Sequence, residues 1–93
     1  MSSSNSQYKI LIESITLSLL HNMKESSLIK KEEWIDDARD IVSMLRERSV
    51  RNQDLCVEMI EGFYVEKESK DNFTDFETPA KEVAKIYFQN EYI

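Results

Sequence analysis

The stretch Glu32–Arg48, EEWIDDARDIVSMLRER, restricts the fold more than any other part of the chain. On a helix, Trp34, Ala38, Ile41 and Leu45 stack along one side and Ile35 and Val42 widen the stripe. Glu33, Asp36, Asp37, Asp40 and Glu47 take the opposite side, which is the three-and-four spacing of an amphipathic helix. Acids crowd its first turn and Arg46 and Arg48 sit in its last, each matching the sign that the helix dipole prefers. A helix this two-faced cannot bury its stripe alone. The rest of the chain must supply a partner for Trp34 and its neighbours.

Three more segments carry helical periodicity. In Tyr8–Met23, Tyr8, Leu11, Ile12, Ile15, Leu19 and Met23 share one face, while Ile10 and Leu17 lie on the far side, seven residues apart. After a break at Ser49–Asn52, with Asn52 as a cap, Gln53–Lys67 places Leu55, Cys56, Met59, Ile60 and Phe63 together and leaves Val57 and Tyr64 on a second face. Gly62 inside that helix costs about 1 kcal/mol relative to alanine, tolerable where another backbone approaches closely or where the helix ends. Thr78-Pro79 reads as an N-cap followed by proline at the first helical position, opening a helix to about Asn90 with Ala80, Val83, Ala84 and Tyr87 as its core stripe. Residues 1–6 read as a disordered leader with Ser6 as a cap, and 7–93 as a single domain. One glycine and one proline in 93 residues argue against an all-β design, which needs frequent turns. The expectation is an all-α fold, a small antiparallel bundle of four helices.

Charge is unevenly placed. Residues 1–51 hold eight Lys/Arg and eight Asp/Glu, whereas residues 52–93 hold four against ten, which accounts for the whole net charge of −6. Acidity of this size repels nucleic acid and anionic membrane and attracts a basic protein surface. No apolar run approaches the ~20 residues that cross a bilayer. The single Cys56 has no partner for an internal disulfide, and residues 1–7 do not read as a signal peptide, so the expected location is cytoplasmic.

Chemistry is scarce. Nucleophilic catalysis wants a nucleophile beside a base, and His21 and Cys56 are the only residues of their types. They meet only if the first and third helices bring them together, and Cys56 reads instead as a small hydrophobe on an apolar face. One Cys and one His do not make a zinc site. Glu33, Asp37, Glu58 and Glu61 have the helical spacing of facing carboxylates that hold a divalent metal in some all-α hydrolases, but the acids of the second helix point away from its apolar stripe. Lys30, Lys31, Arg46, Arg48 and Arg51 are outnumbered by acids and are explained by dipole pairing and solubility. The reading is therefore non-enzymatic, with no cofactor or metal and no direct contact with nucleic acid or membrane.

What is left is the acidic segment before the last helix. Glu66, Glu68, Asp71, Asp75 and Glu77 surround Phe73 and Phe76, with Tyr64 just upstream. Aromatic anchors in a ring of charge are what a protein-binding hot spot looks like in sequence, because the rings supply buried area and the acids steer a basic partner. The expected function is a module that occupies a basic surface on a nuclease, toxin or nucleic-acid-handling protein, as an immunity protein, an antitoxin or a phage-encoded inhibitor does. A second expectation is a homodimer whose seam is Ile10, Leu17, Val57 and Tyr64. A metal-dependent hydrolase comes third.

Overall fold

The computed structural model describes residues 3–67 and 72–91, and within them the side chains of residues 7–67 and 72–90. Four α-helices are described: α1 (Ser3–Asn22), α2 (Lys31–Glu47), α3 (Gln53–Glu66) and α4 (Glu77–Glu91). Helix α1 packs on α2 and α4, α3 packs on α4, and a lighter contact joins α2 to α3. The end of α1, the start of α2, the end of α3 and the start of α4 meet at one pole. There the Trp34 indole reaches Met23, and the rings of Trp34, Tyr64, Phe73 and Phe76 form a connected cluster with neighbouring centroids 5.1–5.9 Å apart. At the opposite pole the Arg46 guanidinium lies over the Tyr8 ring. The chain thus runs up and down through an antiparallel all-α bundle.

The core is built from the stripes that periodicity marks. Leu11, Ile12, Ile15 and Leu19 of α1, Trp34, Ala38, Ile41, Val42 and Leu45 of α2, and Ala80, Val83, Ala84 and Tyr87 of α4 are all buried. Ile10 and Leu17 remain outside, 56% and 53% exposed. Helix α1 begins at Ser3, so residues 3–6, which composition assigns to a leader capped by Ser6, are helical.

Helix α3 is rotated from the sequence expectation. Its buried positions are Cys56, Ile60 and Tyr64, spaced four apart, whereas Leu55 is 46% exposed. Leu55 and Cys56 lie about 100° apart on a helix, and Tyr64 continues the line of Cys56 and Ile60 only when Leu55 is given up. Ring packing decides it: Tyr64 brings far more area to the aromatic pole than Leu55 could.

Local signals set the helix ends. The Glu33 carboxylate reaches back to accept from the Lys30 N–H at 3.2 Å, and the Asn52 side chain accepts from the Leu55 N–H at 3.1 Å. Helix α2 closes in a Schellman motif, with Ser49 N–H donating to the Arg46 carbonyl and Val50 N–H to the Leu45 carbonyl. Val50 and Leu45 are both buried, which supplies the hydrophobic contact of that motif. At α4 the cap is Asp75 rather than Thr78: its carboxylate accepts from the Thr78 N–H at 2.7 Å and from the Thr78 hydroxyl at 3.3 Å. Pro79 still falls in the first turn, where a missing N–H leaves nothing unsatisfied.

Candidate protein-binding surface

The segment before α4 is stitched to the connection between α1 and α2. Lys24 N–H donates to the Asn72 carbonyl at 2.7 Å, the Ser27 hydroxyl donates to the Asn72 side-chain oxygen at 2.8 Å, and Met23 and Phe73 form an isolated antiparallel bridge. This backbone pairing turns the Phe73 ring inward against Trp34 at 5.2 Å and Tyr64 at 5.1 Å. Phe73 and Tyr64 are therefore core residues and not exposed anchors, while Phe76 is half-buried against the same cluster. Burying large rings against one another is favourable without any partner, so the bundle takes them for itself.

The surrounding acids divide by task. Asp75 caps α4, and Glu77 pairs with Lys81 one turn on at 3.3 Å. Glu68 and Asp71 lie outside the described residues. Glu66, at the end of α3, is exposed. Glu82, half-buried, accepts from the Ser18 hydroxyl and the Asn22 amide and so fastens α4 to α1. The carboxyl end of the ring of charge around the two phenylalanines is thus one helix cap and one ion pair within α4.

The proposed dimer seam also divides. Ile10 and Leu17 are exposed, but Tyr64 is fully buried and Val57 packs partly buried against the core. The four carboxylates with metal-like spacing do not converge: Glu33 is held by the Lys30 backbone, Asp37 pairs with Lys67 at 3.3 Å, and Glu58 is exposed. Among the described residues no group of three or more His, Cys, Asp or Glu side chains is arranged to hold a metal ion. Burial pushes the Asp37 carboxyl above its ordinary range, partly countered by the Lys67 ammonium. Cys56 is buried and its thiol is pushed up to about 11 by desolvation, so it stays protonated, while His21 is exposed at the end of α1.

Four further acids stand together on α3, where the sequence suggests Glu58 and Glu61 for a metal and Glu66 for a partner. Asp54, Glu58, Glu61 and Glu66 stand in a helix with no lysine or arginine, and among the described residues no ion pair reaches them. Glu58 and Glu66 flank exposed Leu55, Gly62 and Val65. The signal was present as four acids without a base between Gln53 and Glu66, and it was obscured by assigning Leu55 to the core. On the other side of the bundle Lys9, Lys31 and Arg39 rim a groove of about 270 Å³ between α1 and α2, floored by Ile12 and Ile35. Among the described residues no helix is long and apolar enough to cross a membrane. Compared with known protein families, curated proteins and solved structures, the chain matches none of them.

Proposed function

We propose that this chain is a non-enzymatic acidic binding module, working in the cytoplasm, that occupies a basic surface on another protein, with nucleases, toxins and nucleic-acid-handling proteins as the fitting class of target. The observation that carries this reading is the way charge is distributed in space. Helix α3 holds four acids and no base, whereas α4 sets three acids against two lysines, so the largest excess of acid on any described helix stands on α3. A surface of one sign accelerates encounter with its opposite and discourages other partners.

The test is capture from the native host at low salt, with a second small acidic protein of equal net charge as control, followed by a salt gradient. A basic nuclease or nucleic-acid-binding protein retained by this chain alone, eluting late and losing activity when the chain is added back, is the expected result. Equal retention by the control would sink the reading.

Exposed Ile10 and Leu17 favour a second reading, self-association through α1. Sedimentation at low micromolar concentration checks it, and a monomer for both the wild type and Leu17→Glu removes it.

A further inference from the structure

Gly62 stands in the interior of α3 with nothing in this structure to explain it. Its backbone is not in a positive-φ conformation, and among the described residues nothing lies within 4 Å of where a Cβ would stand. An alanine there would fit and would favour the helix. The intramolecular packing therefore makes no use of the missing side chain. Its neighbours on the surface make the position more informative. Leu55, Glu58, Gly62 and Val65 follow steps of three, four and three, so they form one straight row on the face opposite Cys56, Ile60 and Tyr64. Leu55 is 46% and Val65 61% exposed at the two ends of the row, with the glycine between them. An apolar contact at each end, with the exposed Glu58 carboxylate and a bare backbone between, is the relief that a crossing basic helix fills, because glycine lets two backbones approach closely.

Charge selects the occupant. Asp54, Glu58, Glu61 and Glu66 edge the row and α3 carries no cation of its own, so a second copy of the same face would set acids against acids. Lys67, the residue after α3, is drawn to Asp37 and Asp40 of α2 at 3.3 and 3.8 Å, and Lys81 and Lys85 of α4 share a hollow with Asp54 alone of the four acids. We infer that the outer face of α3 is a docking site for a basic amphipathic helix of another protein, laid across Gly62 with its apolar residues on Leu55 and Val65 and its lysines or arginines toward the four carboxylates. Recognition of this kind reads anchors at helical spacing, and flanking charge sets which helix is accepted. This inference rests on the reading of the chain as an acidic binding module and names the surface and the partner's chemistry.

The experiment uses the full chain, isotopically labelled, and a synthetic helix of leucine, lysine and alanine with leucines at heptad spacing, lysines beside them and alanine at the centre. A scrambled peptide of equal composition is the control. Binding should move the amide signals of Leu55, Glu58, Gly62 and Val65, and the scrambled peptide should bind at least about tenfold more weakly, as loss of the apolar anchors requires. Gly62→Ala separates docking from folding because its two effects have opposite sign. It should raise Tm by a few degrees while weakening the peptide by about tenfold, the effect of overfilling a close contact. Signals that move on α4 instead, with Gly62→Ala binding as well as the wild type, would overturn the α3 site and leave the acidic-module reading intact. No binding of either peptide at low salt would also overturn the site, and the host capture would then decide the broader reading by itself. A wild-type dimer that Gly62→Ala breaks would assign the face to a second copy and equally overturn the proposal.

Discussion

The Trp34 indole N–H donates to the Met23 sulfur across 3.2 Å, joining the end of α1 to the first turn of α2. Thioether sulfur is a weak acceptor, yet a buried indole N–H left with nothing is worse off than one with a poor partner. Met23→Leu keeps the volume and removes the acceptor. Urea unfolding should show a loss of about 1–2 kcal/mol, more than a volume-conserving exchange alone brings. A loss below the error of the midpoint would mean that this contact is incidental to stability.

Ser49 closes α2 in a left-handed conformation, with φ 50°, at the position of a Schellman motif where glycine is usual. The side chain crowds its own backbone there, and the two hydrogen bonds of the motif hold it in that conformation. Ser49→Gly should stabilise the fold by about 1 kcal/mol, seen as a rise in Tm of roughly 4–8 °C for a domain of this size. Ser49→Val should lower Tm. A β-branched residue that left Tm unchanged would show that the turn relaxes freely.

Asp37 gives stability a pH dependence of unusual sign for a carboxylate. Desolvation raises its native pKa above the ordinary aspartate value of 3.8, so the folded chain holds that proton more tightly than the unfolded one. Its contribution to stability is therefore complete below 3.8 and is lost as pH rises through the raised native value. The Tm difference between wild type and Asp37→Asn should thus fall as pH rises across that interval. A difference that grows instead would mean that the Lys67 ammonium outweighs desolvation at this site.

How much of this was legible beforehand differs from helix to helix. The core of α2 and α4 follows from spacing alone, because each has one apolar side and the fold uses that side. In α3 apolar residues occur nearly all round, so periodicity admits two rotations one residue apart. Only the aromatic cluster, assembled from three different segments, chooses the one that buries Tyr64. Phe73 is ambiguous in sequence for a related reason. Its surroundings in sequence are acids, but its surroundings in space are Trp34 and Tyr64, brought there by pairing between Met23 and Phe73 that no local pattern announces. The candidate surface lies accordingly not at the rings, which the bundle core takes up, but at the acids of α3.

Helix α1 lies against α4, and Ser18 and Asn22 reach Glu82, 64 and 60 positions along the chain. During synthesis, then, α1 has to wait for a neighbour that emerges after α2 and α3. Until then, among the described helices, Leu11, Ile15 and Leu19 have α2 as their main shelter. A ribosome stalled before α4 would present an open trough to chaperones and proteases alike, and only the arrival of Val83 and Tyr87 closes it.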